Sequence, residues 1–476
     1  MSTHRHHAPP HAVEGLHPVG GARGRTDHTD LTDRTDRIGP ARRDSALESP
    51  EAVLDAYRRH VNHGRARLAA LTGSVVEVAS EGTKVWDTHG KEYLDCSGYG
   101  VFLLGHRHPR VMEAVIEQIH RHPMATRLLL EPRVARAATA LARVTPPGLD
   151  HVHFVTSGAE ATETAIKLAR AHGKRRLVSA TGGYHGKTAG ALSLTAAPLY
   201  QDPFRPLLPA EHVPYGAAAA LEAVLREGPE ACVVVEPVQG EGGVIVPPPG
   251  YLTDVQRLCA RYGALFVLDE IQTGLGRLGT WWGADEEDVR PDILLVGKNL
   301  SGGVVPVAAA VATAQAYAPF DRDPFLHSST FAGAPVAMAA AEAAVHAIEE
   351  EGLVRRAADL GDTLLRLLHE ALAPLRGTAL VDIRGRGLLI GIELADEGLA
   401  GELFLQLVDA GVLVNHSLNA HRVLRLTPPA LLTSRDVDTL REVFTTAARA
   451  LARTTTTGHG TAHTTVTDVS TVRKGI

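Results

Sequence analysis

Short apolar runs alternate with helical patterns through the middle of the chain. Between about residues 111 and 312, the runs HVHFVTS, ACVVVEP, ALFVLDE and DILLVGK are separated by amphipathic stretches such as EATETAIKLARAHG. A short, uninterrupted apolar run between helices is typical of a strand that is buried on both faces. The alternation therefore predicts an α/β domain with a mostly parallel sheet covered by helices.

The segments on either side of this region follow other patterns. A helix is predicted to begin at Ser49 and Pro50, because serine caps helices and proline suits the first helical position. The alternating stretch TKVWDTHGKEYLD predicts a hairpin that turns at His89-Gly90. After about Pro335, an alanine-rich helical stretch is followed by the runs GLLIGIEL and RVLRLTPP and by a last helical pattern. These elements predict a smaller α+β domain.

The domain organisation expected from these patterns has five parts. Residues 1–47 and 454–476 are poor in apolar side chains, so we expect both to be disordered tails. Between the tails, we expect an N-terminal segment of the smaller domain over 48–110, the large domain over 111–335 and the C-terminal part of the smaller domain over 336–453.

Composition and charge narrow the classes of partner. The chain has 476 residues, of which 44% are hydrophobic, and a formal net charge of -6, which gives no basic field to attract nucleic acid or an acidic membrane. We find no stretch as long as a membrane span and no apolar secretion signal at the start. Cys96, Cys232 and Cys259 lie far apart and match no metal-ligand spacing. We therefore expect a cytoplasmic protein that binds neither nucleic acid nor membranes and has no metal site.

The candidate chemistry lies where the apolar runs end, because ligands of an open parallel sheet bind beyond the carboxyl ends of its strands. LFVLDEIQTGLGR turns polar at Asp269 and Glu270, and DILLVGK ends on Lys298. A lysine at the end of so apolar a strand is either paired, or neutral and nucleophilic. Taken alone, Asp269 could equally be a helix cap.

Two turns that contain glycine are suited to a flat, phosphorylated ligand. FVTSGAEATETAIKL passes through Ser157, Gly158 and Ala159 into a helix, whose first amides favour an anion, although many such turns use Ser and Gly only for their geometry. GGYHGKT places Tyr184 and His185 between glycines, where an aromatic face can cover a ligand. Packing in the core is the default alternative for Tyr184.

Together these parts match the requirements of pyridoxal phosphate (PLP). This cofactor needs a phosphate cradle, an aromatic plate, a carboxylate that keeps its pyridine nitrogen protonated, and a lysine that forms a Schiff base with its aldehyde. The stretch VVVEPVQGEGG adds Glu236 at a strand end and Glu241 among glycines. Taken alone, Glu241 would more often be a solvated turn residue.

Residues from about 75 to 450 resemble the class III (omega) aminotransferases of PLP fold type I. The resemblance rests on FVLDEIQTGLGRLG and its spacing to Lys298, and on TSGAEAT, YHGKT, EPVQGEGGV and HSSTFAGAP in the family's order. It implies an aspartate aminotransferase-like fold and an enzyme that moves an amino group from a small-molecule amine donor to a keto-acid acceptor. It also implies a homodimer, or a dimer of dimers, whose sites are completed across the interface.

The resemblance further implies a role for each candidate residue. Lys298 would form the Schiff base, Asp269 would hold the pyridinium nitrogen, and both would be catalytic. The other expected cofactor contacts are Gln272 on the ring hydroxyl, Tyr184 stacked on the ring, His185 and Glu236 nearby, Ser157, Gly158 and Ala159 at the phosphate, and Thr330 at the phosphate of the neighbouring subunit.

The expected substrate contacts leave the donor open. In the family, an arginine in the motif written here RVLRLTPP binds the carboxylate of glutamate or 2-oxoglutarate, and a glutamate in QGEGG covers it when an ω-amine enters; here they are Arg425 and Glu241. Lys187 and the surrounding motifs look closest to putrescine aminotransferase, whereas Tyr99 falls where ornithine-type enzymes place a tyrosine on the substrate. A diamine, an ornithine-like donor, a tailoring transamination of a natural-product or peptide intermediate, other PLP chemistry (racemase, mutase or decarboxylase) and a silent PLP-binding protein all stay open.

The chain departs from the family's pattern at two places. Ala159 stands where the family often has a hydroxyl residue, and AGAP stands where GGNP is usual. The first change removes one hydrogen bond to the phosphate. We therefore expect weaker cofactor affinity with unaffected chemistry.

Overall fold

The structure is a computed structural model that describes residues 49–457. The tails predicted from composition lie outside this range, except that the last helix continues to Thr457. From Pro50 on, the described chain forms one compact unit. A helix begins at Pro50, as the sequence predicts.

The described chain contains strands and helices in the following order. The strands are β1 (Glu77–Glu81), β2 (Lys84–Asp87), β3 (Glu92–Asp95), β4 (His151–Val155), β5 (Arg176–Ala180), β6 (Ala210–Val213), β7 (Ala231–Val235), β8 (Leu265–Asp269), β9 (Ile293–Val296), β10 (Ala308–Ala312), β11 (Leu380–Arg386), β12 (Leu389–Leu394), β13 (Val412–Leu413), β14 (Asn415–Ser417) and β15 (Ala420–Leu426). The helices are α1 (Pro50–Ala56), α2 (His63–Leu71), α3 (Pro109–Arg121), α4 (Pro132–Val144), α5 (Gly158–Ala171), α6 (Ala189–Leu194), α7 (Pro198–Gln201), α8 (Ala218–Leu225), α9 (Tyr251–Tyr262), α10 (Ala314–Arg322), α11 (Pro335–Glu350), α12 (Leu353–Ala371), α13 (Glu397–Asp409) and α14 (Ser434–Thr457).

The largest sheet has seven strands in the order β4-β10-β9-β8-β7-β5-β6. Strands β9, β8, β7, β5 and β6 run parallel, and β10 is antiparallel to both of its neighbours. Every residue of β7, β8, β9 and β10 is buried, which explains why these strands read as continuous apolar runs. The predicted mostly parallel sheet is confirmed.

Helix α9 shows how the connections bring strand ends together. It packs an apolar face that includes Leu252, Val255 and Leu258 against the sheet side of the molecule. It ends at Gly263, whose φ of 65° is the left-handed conformation that glycine accepts most readily at a helix end. The chain then enters β8 parallel to β7, so the carboxyl ends of these two strands lie at the same edge of the sheet.

Two smaller sheets surround this edge. One has the order β1-β2-β3-β13 and contains the predicted hairpin of β2 and β3, while the other has the order β11-β12-β15-β14. Because β13 pairs in parallel with β3, segments from before and after the large sheet share one sheet. The α+β character of the smaller domain is confirmed. Its boundaries stay a prediction, and α11, expected to open its C-terminal part, packs on α3 and α4.

The three cysteines, Cys96, Cys232 and Cys259, are free and buried, and burial raises the pKa of each thiol. Within residues 49–457, no helix has the length and apolar content required to cross a membrane. In the same part of the chain, no three His, Cys, Asp or Glu side chains are grouped so that they could hold a metal ion.

Candidate active site

Lys298 stands just beyond the carboxyl end of β9, after Gly297. Its backbone has a φ of 43°, a left-handed conformation that costs a lysine energy and is typical of functional sites. The side chain is partly buried. Burial is the main factor that lowers the pKa of Lys298, and the charge of Arg425 adds to it against the opposing charges of Glu241 and Asp269. A lowered pKa increases the fraction of neutral, nucleophilic amine.

Asp269 is the last residue of β8 and is 3% exposed. Its Oδ2 lies 2.7 Å from Nδ1 of His185, and its Oδ1 accepts a hydrogen bond from the amide of Ile271 at 3.1 Å. Burial disfavours the charged form of His185, but the hydrogen bond and charge of Asp269 outweigh burial and raise the pKa of His185. Among the described residues, the buried Nε2 of His185 has no hydrogen-bond partner. The two contacts fix the direction of the Asp269 carboxylate.

Glu236 and Gln272 extend this buried polar cluster. Glu236 accepts hydrogen bonds from the amides of Tyr184 at 3.0 Å and Gly240 at 3.3 Å, and burial raises its pKa to about 7. Gln272 is 5% exposed, and its Nε2 finds no partner within the part of the chain that the structure describes. A Cβ at Gly240 would stand 1.8 Å from Oε1 of Gln272, so a glycine is required there.

The start of α5 supplies the candidate phosphate cradle. Ser157 caps the helix, with its Oγ accepting a hydrogen bond from the amide of Glu160 at 3.3 Å. The amides of Gly158 and Ala159 belong to the first turn, where the helix itself offers no acceptor. A Cβ at Gly186 would stand 2.7 Å from Cβ of Ala159, so the loop after Tyr184 lies directly against this turn.

Tyr184 is half-buried between the cradle and the carboxylates. Burial, helped by the charge of Glu241, raises the pKa of Tyr184 to about 12, so its hydroxyl stays protonated. Nζ of Lys187 lies 5.9 Å from the ring centroid of Tyr184 and 3.9 Å from that of Tyr200. These distances describe a cation beside two aromatic faces at the edge of the site.

Tyr99 and Gly100 approach Lys298 from the segment that precedes the large sheet. Tyr99 has a φ of 48° and is 58% exposed. A Cβ at Gly100 would stand 3.6 Å from both Cδ of Lys298 and Nε2 of Gln272. The turn therefore lies against the lysine, with Tyr99 at its exposed side.

The sequence analysis missed the pair of residues that holds this turn. Asp95 accepts hydrogen bonds from the amide and hydroxyl of Ser97, both at 2.8 Å, and lies 2.8 Å from Nε2 of His106. The ring of His106 stacks on Phe102 at 3.8 Å. A histidine beside glycine and arginine in GHRHP gives no sequence signal for this buried contact.

Arg425 lies on β15 and is 1% exposed. Its Nη1 is 2.5 Å from Oε1 of Glu241, an ion pair whose angles are not those of a hydrogen bond. Its Nε and Nη2 likewise find no hydrogen-bond partner among the described residues. A buried guanidinium with unused donors is costly unless a ligand supplies acceptors, so Arg425 suits a carboxylate.

Arg277 is a second residue that the sequence analysis missed, although it ends the stretch LFVLDEIQTGLGR. It is fully buried, and burial lowers its pKa to about 9. Its Nη1 donates to the carbonyls of Pro428 at 2.6 Å and Leu388 at 3.3 Å, and its Nη2 donates to that of Gly100 at 3.4 Å. Arg277 therefore ties the loop after Asp269 to the turn of Gly100 and to the C-terminal part of the chain.

Thr330 is exposed and lines a cavity of about 540 Å³ together with Glu160 and His327. Its predicted contact lies across a subunit interface and stays a prediction.

These residues fit pyridoxal phosphate. The amides of α5 offer donors to its phosphate, the unpartnered Nε2 of Gln272 offers one to a ring oxygen, and Asp269 offers a carboxylate to its ring nitrogen. Lys298 offers an amine of lowered pKa to its aldehyde. The donors and the acceptor thus have the chemistry that the cofactor requires.

Comparisons with known proteins agree with this chemistry. A family model described as aminotransferase class-III matches residues 70–448. The ornithine aminotransferase from Toxoplasma gondii ME49 is 33% identical with a TM-score of 0.79, and the match covers 85% of this chain and 96% of that one. Another structure of the ornithine aminotransferase from Toxoplasma gondii, with partial occupancy of PLP at its active site, is 32% identical with a TM-score of 0.79 over 92% of this chain and 100% of that one.

An omega-transaminase is similar as well. The thermostable (S)-enantioselective enzyme from Thermomicrobium roseum is 30% identical with a TM-score of 0.78, and the match covers 85% of this chain and 99% of that one.

Proposed function

The chain belongs to the class III aminotransferases and is a pyridoxal-phosphate-dependent transaminase, and from this premise we propose which amino group it moves. The donor is an ω-amine, either a diamine or an ornithine-like compound. The acceptor is a keto acid such as 2-oxoglutarate, and the two substrates react in successive half-reactions at one site. The observation that carries this proposal is the buried Glu241–Arg425 ion pair, because it offers one carboxylate site that can be either covered or open.

When bound, the cofactor supplies an aldehyde that captures the amine and a ring that accepts electrons from it. Nζ of Lys298 holds the cofactor and, once free, accepts and returns a proton. The carboxylate of Asp269, oriented by His185, binds the protonated ring nitrogen. Nε2 of Gln272 donates to the ring oxygen, and the ring of Tyr184 covers one face.

The two ends of the site handle the other charges. The amides of Gly158 and Ala159 bind the phosphate at the start of α5. At the opposite end, Glu241 neutralises Arg425 while an amine without a carboxylate is bound. A keto acid with a second carboxylate displaces Glu241 and binds the Nε and Nη2 donors of Arg425. This exchange lets one site accept two differently charged substrates.

An absorbance titration tests the proposal. The purified, PLP-loaded protein is mixed in turn with putrescine, ornithine, acetylornithine, lysine, 4-aminobutyrate and glutamate, with Lys298→Ala as the control. We expect one ω-amine to bleach the visible band and 2-oxoglutarate to restore it. Bleaching by glutamate alone would instead favour a tailoring transaminase that aminates a carbonyl group on a larger intermediate. No bleaching by any amine would contradict the proposal.

We also propose that the functional unit is a homodimer. Large apolar side chains are exposed on two segments, namely Leu128 at 88%, Leu129 at 75%, Leu130 at 103%, Phe325 at 89% and Phe331 at 62%. The segments are in contact, because Nη1 of Arg127 donates to the carbonyl of Ser329. Exposed apolar surface of this kind marks an interface, and Thr330 lies within it.

The oligomeric state tests the homodimer. We expect light scattering to give the mass of a dimer, or twice that mass for a dimer of dimers. Leu129→Asp combined with Leu130→Asp should release monomers and lower activity, because Thr330 would lose its site on the neighbour. A fully active monomer would contradict the homodimer. The three buried, free cysteines support a reducing compartment, and we retain the cytoplasm as the proposed location.

A further inference from the structure

The turn between β14 and β15 makes a set of contacts that the proposed mechanism does not use. We call the residues Ser417, Leu418 and Asn419 the latch, because they bind loops that follow β5 and β7 of the large sheet. The latch belongs to the sheet of β11, β12, β15 and β14, and Arg425 lies on the same strand hairpin.

Asn419 makes three of the latch contacts. Its Nδ2 donates to the carbonyls of Gly182 at 3.0 Å and Gly183 at 3.3 Å. Its backbone amide donates to the carbonyl of Glu241 at 2.9 Å. Because Gly183 directly precedes Tyr184, one side chain holds the loop of the aromatic plate and the loop of the gating carboxylate together.

Leu418 and Ser417 complete the latch through backbone groups. The amide of Leu418 donates to Oε2 of Glu241 at 2.9 Å, and its carbonyl accepts a hydrogen bond from the hydroxyl of Tyr200 at 3.1 Å. Oγ of Ser417 donates to the carbonyl of Gly240 at 3.3 Å. The latch is therefore bonded on both sides of Glu241.

The two carboxylate oxygens of Glu241 consequently have different partners. Oε1 faces Arg425, and Oε2 accepts the hydrogen bond from Leu418. The Leu418 amide holds the carboxylate in the position from which it neutralises Arg425. A shift of the turn would move that amide and weaken the neutralisation, because Coulomb attraction and hydrogen bonding both fall with distance.

We propose that Asn419 is a positioning residue that determines substrate selection, because it keeps the latch closed and thereby keeps Glu241 on Arg425. The inference rests on the proposed function and deepens it. A firm latch disfavours substrates that present a carboxylate to Arg425 and favours cationic amines, which an uncovered guanidinium would repel. A loosened latch shifts the balance in the opposite direction.

Asn419→Ala tests the proposal in two assays on the PLP-loaded enzyme. Calorimetric titration with glutarate, an unreactive dicarboxylate, should show affinity about fivefold higher than in the parent, as expected for the loss of about one net hydrogen bond. Single-turnover absorbance should show a lower KM for 2-oxoglutarate and a kcat/KM for the amine lower by a similar factor. The two half-reactions must therefore change in opposite directions.

Two further variants separate this effect from general loosening. Tyr200→Phe keeps the ring and removes only the hydroxyl that binds Leu418, so it should give the same shift at smaller size, and it provides the test if Asn419→Ala does not fold. Asp396→Ala removes the cap of α13 on the same side of the molecule, where Oδ1 of Asp396 accepts a hydrogen bond from Leu399 at 2.9 Å. It should lower stability without changing the ratio of the half-reactions.

Unchanged glutarate affinity together with an unchanged ratio in Asn419→Ala would overturn the latch proposal. An equal loss in both half-reactions would overturn it too, because that result indicates a structural role only. If the parent enzyme performs neither half-reaction, the proposed function fails instead, while the glutarate titration still tests the latch.

Discussion

Two polar pairs in the active site are built in different ways. Asp269 and His185 both follow strands of the large sheet, lie 2.7 Å apart and are almost fully buried. Glu241 and Arg425 join the loop after β7 to a strand of another sheet, and the arginine retains unused donors. The first pair is fixed by one sheet, whereas the second depends on how two sheets meet. The comparison indicates that the chemistry is built rigidly and that selection is built where elements can shift.

The largest effect is expected at the fixed side of the comparison. Lys298→Ala removes the amine on which both half-reactions depend, so transamination should fall by roughly 10⁴-fold or more. The measurement is the rate of glutamate formation from the donor identified by titration. Lys174→Ala is the control, because Lys174 only donates to the carbonyls of Pro229 and Gly263 and should leave the rate unchanged. Measurable turnover in Lys298→Ala would show that another group moves the proton.

Asp269→Asn tests whether the fixed pair acts through charge. The change keeps the size of the side chain and removes its charge, so we expect the rate to fall by roughly 10²–10⁴-fold. The pKa of His185 should fall as well, because Asp269 raises it and burial alone lowers it. An NMR titration of His185 measures this shift. An unchanged His185 pKa would mean that the pair does not form in solution.

Arg425→Lys tests the pair that spans two sheets. A lysine cannot bind a carboxylate with two parallel hydrogen bonds, so KM for 2-oxoglutarate should rise by about 10–100-fold while the amine half-reaction changes less. Arg422→Lys is the matched control on the same strand, since Arg422 is exposed and pairs with Glu393. Equal losses in both half-reactions would contradict the division between chemistry and selection.

Glu270→Gln should have the smallest effect, and on stability rather than on turnover. Glu270 accepts hydrogen bonds from the amide of Ala284 at 2.9 Å and from the hydroxyl of Thr273, and burial raises its pKa from 4.5 to about 7. The folded state therefore binds a proton more tightly than the unfolded state, so the free energy of unfolding falls as pH rises from about 4.5 to about 7.

Urea unfolding across this pH window measures the effect. Glu270→Gln should reduce the fall by about 1–3 kcal/mol. Part of the fall should remain, because burial also raises the pKa of Glu236 to about 7. A slope identical to that of the parent would show that Glu270 does not titrate in this range.

The sequence predicted the fixed side of this comparison better than the variable side. Asp269 and Lys298 stand where buried strands end, and a change from apolar to charged residues marks such positions in any chain. The direction of β10 had no comparable signal, because a fully buried strand reads the same in either orientation. The pairing of Glu241 with Arg425 followed only from the family resemblance.

Residues that act over long sequence distances escaped prediction altogether. Arg277 and Pro428 are 151 positions apart, and no local pattern reports their contact. Asn419 lies in a hairpin turn, where asparagine is a default residue for reasons of backbone geometry, so its side-chain contacts leave no trace in the sequence. Tertiary contacts of this kind become visible only when the sheets are placed together.

The burial of all three cysteines has a practical consequence for spectroscopy. Because only the thiolate reacts rapidly and burial raises the pKa of every native thiol, maleimide dyes should leave Cys96, Cys232 and Cys259 unmodified in the folded protein. A cysteine introduced at the exposed position of Arg422 would then carry a single fluorophore on β15, close to the latch. Without any prior removal of native cysteines, such a label could follow the motion of the hairpin in single molecules during turnover.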